Sequence, residues 1–143
     1  MMSVVPFLMF EGEAEEAMSL YVSLFEDAHI LEIVRYDEDG AGPAGEVLRG
    51  RFELCGREYA CMDSPTEHDF GFTPSFSMFA EFDNEDDIEA VYVALSEGGN
   101  VLMPYQAYSF AKRFCWLQDR YGVSWQLNYE GSDEEAEAES PDP

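Results

Sequence analysis

Few residues in this chain have the chemistry of ligands, nucleophiles or bases, and their spacing argues against most familiar arrangements. There are two histidines, His29 and His68. Glu67-His68-Asp69 has the residue types of a metal site, but adjacent residues in an extended or loop segment point apart and do not converge on one ion. His29 begins an expected strand just after an expected helix, a place where histidine also caps helix carbonyls. No Ser-His-Asp or Cys-His arrangement emerges. Cys55, Cys61 and Cys115 lie in strand-like segments, read as buried, and few basic groups stand near them to lower a thiol pKa. Gly40-x-Gly42-x-x-Gly45 has the letters of a nucleotide loop, yet it joins strand to strand, whereas such loops lead into a helix N-terminus. Glu15-Glu16 and Asp86-Asp87 fall in first helical turns, where the dipole favours solvated acids. Lys112, Arg113 and Arg120 suit either an anionic group on a ligand or local acids such as Asp119.

The charge balance sets the surroundings for any site. The chain has 143 residues, 31 acids against 7 bases, and a net charge of −24. Such a surface repels nucleic acid and anionic membranes, so neither is an expected partner. Acids on every exposed face with a single lysine, Lys112, point to a salt-rich cytoplasm, where screening removes self-repulsion. An odd number of cysteines without finger spacing suits a reducing compartment. No apolar run is long enough for a membrane helix and no basic leader is evident, so the expected location is cytoplasmic.

The elements that must position these side chains are written twice. Leu20-Tyr21-Val22-Ser23-Leu24 is echoed by Val91-Tyr92-Val93-Ala94-Leu95, each after an apolar run and an acidic stretch. Val4 to Phe10 reads as a strand, followed by a helix with Ala14, Ala17, Met18, Tyr21, Leu24 and Phe25 on one face. His29 to Tyr36 reads as a strand, and Val47–Cys55 with Arg57–Met62 as a hairpin around Gly56. The second half predicts a strand over 75–82, a helix capped by Asn84 and stopped at Gly98-Gly99, and strands at 101–103, 114–118 and 124–129. The expected fold class is α+β, two tandem β-α-β-β-β modules at about 4–62 and 75–129 within one domain, 1–129. Residues 130–143 are acidic, lack bulky apolar groups, and are expected to be a disordered tail.

A duplicated module of this length resembles the vicinal oxygen chelate superfamily, which includes glyoxalase, extradiol dioxygenases and drug-resistance binding proteins. The words Pro6-Phe7-Leu8-Met9-Phe10, Asp63-Ser64-Pro65, Phe72-Thr73-Pro74, Leu95-Ser96-Glu97-Gly98-Gly99 and Trp116-x-x-Asp119-Arg120-x-Gly122-Val123-x-Trp125-Gln126 are similar to its PhnB-like branch, also labelled demethylubiquinone methyltransferase-like. The resemblance implies curled mixed sheets around a cleft, often shared across a homodimer. It also implies metal ligands on the first and last strand of each module in the metal-dependent members. Here those positions are Pro6, Ser77, a residue near Met62, and Gln126. Only Gln126 ligates well, so no metal and no cofactor are expected.

Strand alternation puts Ser124, Gln126 and Asn128 on a polar face that we assign to the cleft. The candidate ligand-binding residues are Trp116, Gln126, Ser77, Phe79, Tyr105, Phe110 and Asp63, with Glu81 nearby. Aromatic walls with a few placed polar groups suit a small organic ligand, although each aromatic also suits a core. The leading expectation is a metal-free small-molecule-binding module or remnant enzyme. The alternatives are a metal-dependent lyase or dioxygenase-like enzyme drawing on Glu81, Gln126 and a partner chain, and a partner-binding protein acting through its acidic surface.

Overall fold

Strand, helix and three strands follow one another twice in the computed structural model, which describes residues 1–131. Most of the expected acidic tail, from residue 132 onward, lies outside the described residues. The chain divides into two units between Asp69 and Phe70.

The first unit holds β1 (Phe7–Phe10), α1 (Ala14–Leu24), β2 (His29–Arg35), β3 (Val47–Leu54) and β4 (Arg57–Asp63). Its sheet has the order β1-β4-β3-β2, with β1 parallel to β4 and the other pairs antiparallel. The helical spacing read from the sequence is the buried stripe Ala14, Ala17, Met18 and Tyr21. Tyr21 meets Phe52 of β3 at 6.1 Å between ring centroids. At Gly50 a Cβ would come within 2.8 Å of both Met18 Cε and Cys61 Sγ, so glycine lets the helix and sheet close up there. The start of α1 is held from a distance: Asp63 Oδ1, at the end of β4, accepts from Gly12 N at 2.8 Å and Ala14 N at 2.9 Å. Its other oxygen accepts from Val47 N at 2.9 Å.

The second unit holds β5 (Ser77–Glu81), α2 (Glu85–Ser96), β6 (Asn100–Tyr108), β7 (Ala111–Gln118) and β8 (Ser124–Tyr129), with sheet order β5-β8-β7-β6. Here the cap is local and as expected: Asn84 accepts from Asp87 N at 2.8 Å. Ile88, Val91 and Leu95 bury the helix against the sheet. The turn from β7 to β8 is built on Asp119, 3% exposed. Its Oδ1 accepts from Tyr121 N and Val123 N, and its Oδ2 accepts from the Trp125 indole at 2.9 Å.

Several local readings change, among them the start of the first strand, which is at Phe7 and not at exposed Val4. β6 runs through Pro104 to Tyr108 instead of ending at Met103, because it is an edge strand that tolerates a missing N–H and its pairing with β7 shifts register around Pro104. β7 accordingly begins at Ala111 and not at Phe114. Cys55 is exposed, unlike buried Cys61 and Cys115, because it shares the tight β3–β4 turn with Gly56, both at positive φ (51° and 80°).

Candidate functional site

Four of the seven sequence-predicted residues, Trp116, Gln126, Ser77 and Phe79, converge on the polar face of β8. Parallel pairing sets Ser77 beside Ser124 and Phe79 beside Gln126. Antiparallel pairing with β7 sets Trp116 opposite Gln126. Directly paired residues share a sheet face, so register alone gathers Ser77, Phe79, Trp116, Ser124 and Gln126.

Their polar atoms form a chain. The Trp116 indole donates to Ser124 Oγ at 2.9 Å, the two hydroxyls Ser124 Oγ and Ser77 Oγ lie 2.6 Å apart, and Gln126 Nε2 donates to Ser77 Oγ at 3.3 Å. Ser124 is buried at 1%, while Ser77, Trp116 and Gln126 are half-buried. The Ser77–Ser124 bond uses one of the two hydroxyl protons. With Ser124 as the donor of that bond, the Ser77 hydroxyl proton remains for a ligand, and Gln126 Oε1 and the second amide proton add an acceptor and a donor in either case. No member of the chain is a carboxylate, imidazole, thiol or amine, so it can orient a polar group but not exchange protons with it near neutral pH.

Phe79, half-exposed at 54%, supplies an apolar neighbour to Gln126. Phe110 is equally exposed and packs edge-on against Phe114 at 5.0 Å, with Tyr108 stacked beside it at 5.5 Å. Tyr105 turns elsewhere: its ring stacks on Tyr92 of α2 at 4.9 Å, and its buried hydroxyl has no hydrogen-bond partner among the described residues. Burial and the nearby Glu85 and Glu89 carboxylates raise its pKa. Asp63 belongs to the first unit, where it is 1% exposed and takes up three backbone N–H groups. Glu81 is exposed two residues beyond Phe79 and borders a hollow of about 380 Å³ with Phe82, Asp83, Asn128, Tyr129, Glu130 and Gly131. Ser124 was legible only as one residue of a polar face; its role in joining Trp116 to Ser77 depends on the register of three strands.

The basic residues are engaged with acids and carbonyls. Lys112 and Arg113 approach Glu85 at 3.8 and 3.6 Å, and Arg120 donates to Ala94 O and approaches Glu97. The glycine-rich segment is a turn from β2 to β3: Gly45 N donates to Tyr36 O, and a Cβ on Gly42 would lie 2.8 Å from the Tyr36 ring. At the metal positions implied by the resemblance, Ser77 and Gln126 turn their heteroatoms toward each other. Pro6 offers only its carbonyl, which accepts from Ala60 N, and Met62 pairs with Met9. Neither pair, the hydroxyl with the amide nor the thioether with the engaged carbonyl, offers the nitrogen and oxygen donors that a divalent ion needs.

Two β-α-β-β-β units, each with a four-stranded mixed sheet, define a glyoxalase-like fold of the vicinal oxygen chelate class. Within that class the chain belongs to the PhnB-like family described as 3-demethylubiquinone-9 3-methyltransferase, whose family model matches residues 2–128. It is similar to the solved PhnB protein of Bacillus cereus, at 47% identity over 90% of this chain and 99% of that one, with a TM-score of 0.88. A Pseudomonas aeruginosa protein of solved structure is 25% identical over 92% of this chain and all 100% of its own, with a TM-score of 0.78. The fosfomycin resistance protein FosX of Mesorhizobium loti shares the fold at 12% identity, a TM-score of 0.59, and coverage of 94% and 97%. No curated protein matches the chain in sequence.

Proposed function

We propose that this chain is a small-molecule-binding module or remnant enzyme of the glyoxalase fold that works without a metal. It takes a compact organic ligand against the face formed by Trp116, Gln126, Ser77 and Phe79. The observation that carries this reading is the hydrogen-bonded chain Trp116–Ser124–Ser77–Gln126, which leaves a donor and an acceptor free beside an aromatic ring and contains no acid or base. A neutral ligand with a carbonyl or hydroxyl on an apolar body fits that combination. The methyltransferase description draws no support from the glycine-rich segment, which serves as a strand-to-strand turn. The protein acts as a homodimer in the cytoplasm; light scattering at molar salt tests the dimer, and a monomeric mass contradicts it.

The test is thermal unfolding in molar KCl after chelator treatment, against a collection of small aromatic ketones, phenols and amides. Compounds that raise the melting temperature of the wild type and not of Gln126→Leu support the reading. A collection without hits, or hits indifferent to Gln126→Leu, contradicts it. Exposed Glu81 on the same strand as Ser77 and Phe79 favours one second reading, an enzyme whose carboxylate and Gln126 take up a metal with help from a partner chain. Stoichiometric metal lost on Glu81→Gln is its signature.

A further inference from the structure

Asp27, His29 and Glu53 each place one ligand atom within 4.8 Å of the others. By sequence His29 opens a strand just after a helix, where histidine also caps helix carbonyls; in the fold Asp27, two residues before it, and Glu53 across the sheet stand beside it. His29 opens β2 and lies directly opposite Glu53 of β3, so the two side chains share a face. Asp27 stands in the preceding turn with φ 47°, and its Oδ1 lies 3.5 Å from His29 Nε2. Two ligands about 2.1 Å from a tetrahedral ion are separated by about 3.4 Å, so this edge already has coordination dimensions.

The scaffold is braced before any ion arrives. Cys55 N donates to Glu26 O at 3.0 Å and Gly56 N to Asp27 O at 3.3 Å, which bonds the α1–β2 turn to the β3–β4 turn. The Asp27 carboxylate faces the His29 ring itself. From this geometry we propose that Asp27, His29 and Glu53 form a divalent transition-metal site on the first unit, staple its two turns together, and leave a fourth position open to water. One imidazole and two carboxylates select zinc, cobalt, nickel or copper over magnesium and calcium, which prefer all-oxygen cages. Side-chain exposures of 64% for His29 and 69% for Asp27 give the ion direct access from solvent. All three residues belong to the first unit.

Titrating zinc into the chelator-treated full chain in molar KCl tests the proposal by calorimetry. One zinc per chain is expected, weakened at least about tenfold by His29→Ala and by Glu53→Gln, and unchanged by His68→Ala. Copper bound to the wild type should show hyperfine coupling to one imidazole nitrogen, absent in His29→Ala. No saturable zinc binding overturns the site. Equal binding by wild type and His29→Ala also overturns it, because the ions then sit on the general acidic surface. Neither result bears on ligands that respond to Gln126→Leu.

Discussion

Trp116 donates its indole N–H to Ser124 Oγ at 2.9 Å, so a large half-buried ring is locked in orientation by a small buried hydroxyl on the next strand. Ser124→Ala removes that acceptor and the partner of Ser77 together. An unsatisfied indole N–H and hydroxyl cost about 1–3 kcal/mol each when water cannot replace the lost bond. Chemical denaturation should show a loss within that range, with a shift in tryptophan emission. A variant as stable as the wild type would show that water enters and that the chain is not tightly built.

Asp63 and Asp119 are buried carboxylates that accept main-chain N–H groups, three for Asp63 and two plus an indole for Asp119. Removing such an acceptor strands several buried donors at once. Asp63→Ala and Asp119→Ala should each lose about 3 kcal/mol or more in urea unfolding. Asp63→Ala should also raise amide exchange at Gly12 and Ala14 selectively, and uniform exchange along α1 would argue against its role as the helix anchor.

Cys61 and Cys115 have pKa values pushed up to about 12 from 9.0, chiefly by burial. A raised folded pKa means that the native state holds its proton where the unfolded thiol has lost it. Stability is therefore intact below about pH 9 and falls as pH rises toward 12. Unfolding free energies at neutral and alkaline pH should show this decline, and Cys115→Ala should make it shallower. Thiol reagents at neutral pH should label Cys55 first. An unchanged alkaline slope in Cys115→Ala would contradict the burial argument.

The net charge of −24 makes screening a stability term. Melting temperature should climb steeply from low salt to molar KCl, whereas the exposed Arg35–Glu15 pair, 2.6 Å apart, contributes less as salt rises. A flat salt profile would remove the salt-adaptation reading.

The repeated apolar and acidic words made the fold legible, since strand period, helical stripe and the Asn84 cap are local signals. Pro104 hid the length of β6, because only an edge position makes a strand proline tolerable, and edge position is a tertiary fact. Gln126 was proposed from alternation and resemblance, Ser77 from resemblance and Trp116 from its type; their hydrogen-bonded union through Ser124 was not legible, since it needs the register of β5, β8 and β7 together. Tyr105 and Asp63 looked like site residues by type, but a bulged strand turns Tyr105 onto Tyr92 and three backbone donors occupy Asp63. In the Asp27–His29–Glu53 cluster only Glu53 was hidden for the same reason as Ser124: Asp27 stands two residues before His29, but cross-strand pairing brings Glu53 to them.

The most direct test follows the indole N–H resonances of the two tryptophans, Trp116 and Trp125, by two-dimensional nitrogen–proton NMR while small aromatic ketones, phenols and amides are added in molar KCl. The account predicts that binders move the Trp116 signal, leave the buried Trp125 signal in place, and lose their effect in Gln126→Leu. Binders that leave Trp116 unmoved, or no binders at all, would contradict it.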